Sequence, residues 1–294
     1  MARAAGRRRP GRKWQPHRGR SLPWQLLSYS ALLAATAFAL APLWHIAVLS
    51  LEPLAPAREM AAWRLPDAPG LENFAALFAR TGFLRWTFNS LVVAAAVTAT
   101  GVLLSATAGY ALSRFKFFGR LAVLNSLLLT QIFPATMLLL PIFLILGQLQ
   151  LIDTFVGLAL VYLATVLPFC IWQMKNFYDG VPESVEEAAA MDGCTPAEIF
   201  RRVVLPISAP GLAVTALFSF AAAWNEYVVA AILLPNSALF TLPLGLRSLD
   251  APGGGLPPGL FAAGAVLVSL PMLALYLLLS RFLVTRVHDI RIRY

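Results

Sequence analysis

Long apolar runs alternate with short polar stretches along almost the whole chain. A bilayer core about 30 Å thick requires about 20 apolar residues per helix. Six runs meet this length: Leu26–Leu49, Leu91–Leu112, Leu121–Leu146, Phe155–Phe177, Gly211–Leu234 and Leu260–Leu283. Because peptide groups in lipid have no water to bind, each run is predicted to be a helix. The pattern therefore predicts an all-α fold, a polytopic membrane bundle of six transmembrane helices.

The composition agrees with a membrane protein. Hydrophobic residues make up 59% of the 294-residue chain, and charged residues make up only 13%. Soluble domains contain about 45–50% apolar and about 25% charged residues. A water-soluble fold could not cover so much apolar surface with so few charges, so we expect a multi-pass integral membrane protein.

Lysine and arginine residues are concentrated in alternate connections between the predicted helices. Eighteen of the 23 lie before the first run, in or beside the second-to-third and fourth-to-fifth connections, or at the C-terminus, and these include Lys175 and Arg281 near the ends of their runs. The other five are Arg58, Arg64, Arg80, Arg85 and Arg247. Cytoplasmic loops carry an excess of these residues, so we predict that both termini are cytoplasmic. Residues 1–24 then form a basic tail, residues 25–283 the transmembrane domain and residues 284–294 a second cytoplasmic tail.

The formal net charge of +9 also raises the question of nucleic-acid binding. Arginines next to a membrane orient the protein and contact anionic lipid, so we expect membrane lipid and no nucleic acid among the partners. The two cysteines, Cys170 and Cys194, fit neither a disulfide framework nor a zinc site. The outer connections carry no cluster of catalytic or metal-site spacing. We therefore predict no catalytic residue and no metal site.

The connection between the fourth and fifth runs differs from the others because it is rich in charge, glycine and proline. Ser184 with Glu187, and Thr195 with Glu198, have the spacing of two capping boxes. In a capping box, the first side chain accepts a hydrogen bond from the backbone three residues later, and the acidic side chain bonds back. The two boxes predict two short helices in this connection.

Further residues of this connection mark the helix ends. Gly193 suits a helix stop, Pro196 a first helical position and Pro206 the end of the second helix. The small side chains of Ala188–Ala190 leave one side of the first helix thin, which permits close approach by another protein. We therefore predict a compact helical elbow at the cytoplasmic membrane face, residues 178–208. Its shape suits docking rather than catalysis.

One acidic residue, Glu226, lies well within a predicted apolar run and is preceded by Asn225. A charge at the bilayer centre is unfavourable by about 2.5–3.5 kcal/mol, so these residues are expected to face protein or water. One alternative is that they line a translocation path, where carboxylate and amide groups bind hydroxyl-rich solutes. The other is that they form hydrogen bonds with neighbouring helices.

Several stretches resemble a known family. Glu187-Ala188-Ala189, then Gly193, then the run from Val203 to Pro206 resemble the EAA motif of the membrane subunits of bacterial ABC importers. Four other stretches resemble the carbohydrate-uptake branch, and within it the second, maltose-type permease subunit: WTFNSLVVA at 86–94, GYALSRFKFFGR at 109–120, LPI and LQLIDTFVGL within 140–158, and WNEY at 224–227. The first 24 residues and the ending TRVHDIRIRY depart from it.

The resemblance implies a permease subunit of a binding-protein-dependent ABC importer that carries a carbohydrate across the bacterial cytoplasmic (inner) membrane. It implies two separate ATPase subunits that bind ATP, an extracytoplasmic solute-binding protein, and a second permease subunit that is usually a different chain. The resemblance also implies roles in ATPase coupling for the elbow residues Glu187, Ala188, Ala189, Gly193, Val203, Leu205 and Pro206. Among these, Glu187 would make the polar contact, the two alanines would permit close approach, and Gly193 would form the bend.

The lysines agree with a subunit that binds no ATP of its own. A phosphate-binding loop needs a lysine followed by serine or threonine after a glycine-rich turn. Lys13, Lys116 and Lys175 are followed by tryptophan, phenylalanine and asparagine. We therefore expect no ATPase motif, no cofactor and no enzymatic activity in this chain.

Three alternatives remain open at this point. The chain could serve an ABC importer for another solute, such as a polyol, a glycerol phosphodiester or a peptide. It could be a secondary transporter with Glu226 as a proton relay, although this leaves the elbow without a purpose. It could also be a membrane enzyme with an intramembrane serine and His45, but no glycine-flanked serine pairs with a histidine at matching depth.

Overall fold

The computed structural model of the protein describes residues 22–52, 65, 69–132, 135–249 and 257–284. Regular structure within these residues is entirely helical. The helices are α1 (Leu22–Leu51), α2 (Glu72–Arg80), α3 (Phe83–Arg114), α4 (Arg120–Thr130), α5 (Leu139–Gln148), α6 (Phe155–Asp179), α7 (Glu183–Met191), α8 (Pro196–Ile207), α9 (Ala209–Asn225), α10 (Val228–Leu233), α11 (Leu242–Ser248) and α12 (Pro258–Val284). Residues 1–21 and 285–294, nearly all of the two predicted tails, lie outside the described residues.

Four helices in the described part of the chain are long and apolar enough to cross a membrane: α1, α3, α6 and α12. They correspond to the first, second, fourth and sixth predicted runs. The second run differs most in length from its prediction, because α3 has 32 residues and begins eight residues before the predicted start. A fifth crossing results if the bent pair α8 and α9 counts as one span.

The run Leu121–Leu146 is predicted to be one helix, and this prediction is wrong because the structure divides the run. The structure has two shorter apolar helices, α4, which ends at Thr130, and α5, which begins at Leu139. Pro141 suits the start of the second helix. It lies in the first turn of α5, where backbone N–H groups have no partner within the helix, whereas inside a continuous helix it would cost about 3 kcal/mol.

The prediction of a continuous helix over Gly211–Leu234 is also wrong. Helix α9 ends at Asn225, and Glu226 has an extended backbone with φ −72° and ψ 129° before α10 begins at Val228. The start of this run differs too, because α8 and α9 meet at Ser208 with a bend of 76°. The fifth run is therefore a short helix between a sharp bend and a break.

Helices α3, α6 and α9 form the centre of the bundle. Gly109 of α3 lies so close to α6 that an added Cβ would be 2.8 Å from the Met174 Cβ and 3.0 Å from the Lys175 backbone nitrogen. Gly101, two turns earlier, faces Ser219 of α9. The absence of side chains at these two positions allows the three backbones to approach closely, as small residues do in membrane bundles.

The two ends of α3 hold different parts of the chain. Near its first turns, the Asn89 side chain donates to the carbonyl oxygens of Ala238 and Phe240, both at 3.0 Å. The Ser90 hydroxyl accepts from the Leu242 backbone N–H at 2.7 Å. The last turns of α3 pack against the elbow. Helix α3 therefore connects the segment before α11 with the elbow.

Candidate functional site

The first helix of the elbow, α7, begins at Glu183 directly after Pro182. Pro182 occupies the N-cap position and provides no side-chain hydrogen bond. Ser184 consequently lies inside the first turn, where it cannot act as a cap, and the predicted capping box between Ser184 and Glu187 is wrong. The helix therefore starts two residues earlier than the box pattern predicts, at Glu183 instead of Val185.

A left-handed turn at Gly193 ends α7, as the sequence predicts. Gly193 has φ +87°, and an added Cβ would meet nothing within 4 Å. The Gly193 N–H donates to the Ala190 carbonyl at 3.0 Å, and the Cys194 N–H donates to the Ala189 carbonyl at 3.1 Å. This pair of bonds is a Schellman motif. Glycine is favoured here by its backbone conformation, because the surrounding space is open.

The second helix, α8, starts with the predicted capping box between Thr195 and Glu198, and both of its hydrogen bonds are present. Hydrogen bonds from Thr195, and after them the charge of Arg202, hold the pKa of the Glu198 carboxyl below its usual range. Residues Ile199–Val204 are π-helical, with Pro196–Glu198 and Leu205–Ile207 as α-helical ends. The helix therefore continues one residue past Pro206, and the bend at Ser208 follows.

The elbow has an inner face that packs against the bundle. Its buried cluster consists of Met174 and Tyr178 from α6 with Ile199 and Val204 from α8. Partly buried residues pack around it: Tyr110, Ala189, Cys194, Phe200 and Leu212. Val204 is completely buried, so it is the main apolar anchor of α8. Among its neighbours with predicted roles, Val203 and Leu205 are half-buried and Pro206 is exposed.

The opposite face of the elbow is open. Glu187 and Ala188 are exposed on α7, as is Gly193 in the turn, whereas Ala189 contacts the buried cluster. Met191, next to the turn, is 88% exposed. Three of the predicted coupling residues, Glu187, Ala188 and Gly193, therefore form an exposed outward group. The other four are Ala189, which contacts the buried cluster, and Val203, Leu205 and Pro206 in the last part of α8.

Sequence reasoning missed Glu186, the most strongly held side chain of α7. Its Oε1 accepts from Arg114 Nε at 2.6 Å, and its Oε2 accepts from the Tyr110 hydroxyl at 2.8 Å. Tyr110 and Arg114 are four residues apart, so both lie on one face of α3. This i,i+4 pair of polar residues at the end of an apolar run was the available signal for a carboxylate partner.

The second predicted site, at Asn225 and Glu226, lies at the break between α9 and α10. Glu226 Oε1 accepts from the Val229 N–H at 2.9 Å, and Oε2 accepts from the Ala230 N–H at 3.1 Å and from the Tyr162 hydroxyl at 2.8 Å. The carboxylate thus caps α10 and binds α6. This geometry favours the alternative in which Glu226 bonds to neighbouring helices. The exposed Asn225 side chain bonds back to the Ala221 carbonyl.

Together these features define a class: helical membrane proteins with several apolar spans and a short two-helix elbow between two of their helices. Residues 101–289 match the binding-protein-dependent transport system inner membrane component family. The chain belongs to this family, whose members are inner-membrane permease subunits of ABC importers, and this confirms the resemblance found in the sequence.

Relatives from several bacteria match most of the chain. The trehalose transport system permease protein SugB of Mycobacterium tuberculosis is 32% identical over 84% of this chain and 90% of its own length. The maltodextrin transport system permease protein MdxG of Bacillus subtilis is 36% identical over 72% of this chain and 76% of its own. The maltose/maltodextrin permease protein MalG of Salmonella typhimurium is 38% identical over 68% of this chain and 69% of its own.

A solved structure confirms the permease fold. A chain in the crystal structure of a bacterial ABC transporter involved in the import of the acidic polysaccharide alginate superimposes with a TM-score of 0.77. The match covers 91% of this chain and 99% of that chain at 23% sequence identity. At this identity the likeness concerns the fold alone.

Proposed function

We propose that this chain is one of two permease subunits of an ABC importer for a carbohydrate, driven by ATP hydrolysis in separate ATPase subunits. The observation that carries the proposal is the elbow, which is anchored on its inner face and open on its outer face. Family membership and the sugar-transport names of several relatives support the substrate class. A secondary transporter would have no use for such a surface.

We infer six crossings with both termini in the cytoplasm, the tails at residues 1–24 and 284–294, and the transmembrane domain at residues 25–283. The third crossing consists of α4 and α5 together. At about 1.5 Å per residue, their 11 and 10 residues measure roughly 16 and 15 Å, which together match a bilayer core. The fifth crossing consists of α9 and α10. The excess of lysine and arginine on one side supports this orientation.

The outward group of the elbow, Glu187, Ala188 and Gly193, is the proposed contact with the ATPase. Ala188 and Gly193 permit close approach because they add little or no side chain, and Glu187 supplies a charge at the edge. Ala189, Val203, Leu205 and Pro206 hold the elbow in position. Closure of the ATPase subunits on ATP moves the elbow, and the attached helices convert this movement into a switch between inward-facing and outward-facing states. ATP is proposed to bind to the partner subunits, and the described residues contain no group of three or more His, Cys, Asp or Glu side chains that could hold a metal ion.

The break at Glu226 is the proposed position at which the translocation path passes this subunit. Asn225 is exposed there and offers an amide to solute hydroxyl groups, whereas Glu226 fixes the break through Tyr162 and α10. The second permease is proposed to be a different chain, and an extracytoplasmic binding protein is proposed to deliver the solute. The apolar surface that α1 leaves exposed, including Leu33 and Phe38, is available to lipid and to the second permease.

The test is purification of the tagged chain in mild detergent, followed by reconstitution in proteoliposomes. We expect an ATPase subunit to copurify, and we expect uptake to require both ATP and the binding protein. Mass spectrometry of the solute retained by the binding protein should identify a carbohydrate. A lone chain that transports a solute without ATP would support a secondary transporter instead. A bound polyol, glycerol phosphodiester or peptide would leave the importer in place and replace its substrate.

A further inference from the structure

Two adjacent glutamates of α7 have opposite surroundings. Glu187 is exposed on the outer face of the elbow. The Glu186 side chain is only 13% exposed, and its partner Arg114 on α3 is 10% exposed. Successive residues of a helix point about 100° apart, so one helix can present a charge to each side. The adjacent residues Glu186 and Glu187 therefore have different contacts: Glu186 binds α3, and Glu187 is exposed.

Arg114 binds the elbow at two places. Its Nε donates to Glu186 within α7, and its Nη2 donates at 2.8 Å to the carbonyl oxygen of Val181, two residues before α7 starts. The guanidinium group presents several donors in a rigid plane, so it holds both acceptors in one orientation. A single arginine thereby fixes the position and the direction of α7 relative to α3.

Tyr110 provides the apolar part of the same connection. Its hydroxyl donates to Glu186 at 2.8 Å. Its ring centroid lies 4.7 Å from that of Phe200 in α8 and 5.6 Å from that of Tyr178 in α6. One turn away, the Ser113 hydroxyl donates to Asp179 at 2.7 Å. The end of α3 therefore contacts both helices of the elbow and the end of α6, although no short loop joins it to any of them.

We propose that Tyr110, Arg114 and Glu186 form a clamp, here called the α3 clamp, that makes α3 move together with the elbow. Force received on the outer face then reaches α3 directly, as well as α6 and α9, which are joined to the elbow through the chain. Through Asn89 and Ser90 at its other end, α3 carries the movement to the segment before α11. Arg114 and Glu186 are positioning residues. The inference rests on the proposed docking of an ATPase at the elbow.

The partial burial of the pair explains why it is suited to transmit movement. An exposed ion pair is weak because water screens it. When a largely buried pair loses one partner, the other charge is left poorly solvated and unpaired. The clamp therefore resists separation of α3 from α7 more strongly than a surface pair would, and the two elements are expected to remain together in both states of the transporter.

The first experiment compares Glu186→Gln and Arg114→Gln with Glu187→Gln in the complete importer, reconstituted in proteoliposomes. We expect the two clamp variants to retain the ATPase subunits and their ATP hydrolysis while solute transported per ATP falls about tenfold, because the remaining charge is left unpaired and the connection between α3 and α7 is weakened. Glu187→Gln should instead weaken copurification of the ATPase. Arg202→Gln is the matched control, because Arg202 forms an exposed ion pair with Glu198 on the same elbow and should transport normally.

The second experiment restores the clamp covalently. Arg114→Cys and Glu186→Cys are combined in a background with Cys170→Ala and Cys194→Ala, and a short bifunctional thiol reagent joins the new cysteines. We expect poor coupling before the reagent is added and at least half of the coupling of the parent complex afterwards. A purely structural role in folding would not be repaired in the assembled complex.

The outcomes separate the two proposals. Normal coupling in both glutamine variants, or a cross-linked complex that still hydrolyses ATP without transport, overturns the α3 clamp but leaves the importer intact. If the parent chain itself neither binds an ATPase nor requires ATP for uptake, the proposed function fails. If Glu186→Gln fails to assemble, the cysteine pair joined by the reagent decides the question by the same criterion.

Discussion

The elbow and the break at Glu226 are built around the same arrangement, a glutamate whose Oε2 accepts from a tyrosine hydroxyl at 2.8 Å. At the elbow, the other partner of Glu186 is the cation Arg114 on α3. At the break, the other partners of Glu226 are backbone N–H groups of its own next helix. The first arrangement joins separate helices, whereas the second mainly starts a new helix. At these two sites, a cationic partner on another helix accompanies a connection between helices, and backbone partners on the following helix accompany a cap.

The largest effect is expected from removal of the cap. Glu226→Ala leaves the buried Tyr162 hydroxyl and two N–H groups of α10 without their acceptor, so the free energy of unfolding should fall by about 2–4 kcal/mol. Glu226→Gln keeps one acceptor oxygen and should lose about 1 kcal/mol. Thermal unfolding of the detergent-purified chain measures both. An equal loss of unfolding free energy in the two variants would show that the charge of Glu226, rather than its hydrogen-bond acceptors, stabilises this region.

The next largest effect is expected where α3 and α6 approach each other closely, beside the elbow. Gly109→Ala places a Cβ 2.8 Å from the Met174 Cβ and 3.0 Å from backbone, and such overpacking is unfavourable by about 1–3 kcal/mol. We expect a lower unfolding midpoint and poorer coupling together, because α3 is pushed away from α6. Gly119→Asn is the control, since Gly119 has φ +87° and open space around it. An unchanged midpoint in Gly109→Ala would mean that the helices can separate without loss.

A smaller effect is expected at the turn of the elbow. Gly193→Ala adds no clash but puts an L-residue in a left-handed conformation, which is unfavourable by about 1–2 kcal/mol. Asparagine tolerates this conformation better, so Gly193→Asn should unfold at nearly the parent midpoint. If Gly193→Asn nevertheless loses the ATPase during copurification, the outer face requires close approach. Full retention of the ATPase by this variant would contradict the proposed contact at Gly193.

The smallest effect is expected on the exposed side of the elbow. Arg202 is 73% exposed, and its ion pair with Glu198 has an N–O distance of 3.2 Å. Arg202→Gln should change the free energy of unfolding by less than about 0.5 kcal/mol, and 1 M salt should remove the difference. A loss as large as that of Glu186→Gln, measured in the same unfolding assay, would abolish the distinction between buried and exposed pairs.

The sequence predicted the long helices well because apolar length is a direct requirement of the bilayer. It did not predict the interruptions near Thr130 and Glu226, because apolar content is the same in a continuous and in a broken helix. Pro141 and the charge of Glu226 were the signals for these interruptions. Local patterns also predicted the Thr195–Glu198 box and the Gly193 turn.

The α3 clamp was beyond local patterns for a different reason. Arg114 and Glu186 are 72 residues apart in the chain, so only the fold brings them together. Adjacent glutamates in an EAA motif cannot be distinguished by their neighbours in sequence. The residue facing inward follows from where α7 starts, and that start was displaced by Pro182 relative to the predicted capping box.

The 76° bend between α8 and α9 gives the elbow the properties of a lever. With the regular α-helical rise, the 12 residues of α8 would extend about 18 Å from the bend. If the bend stays rigid, a shift of 1 Å across the free end of α8 tilts the assembly by about 3° around Ser208. A modest displacement of the elbow thus becomes a rotation about Ser208, and the resulting displacement grows with distance along α9.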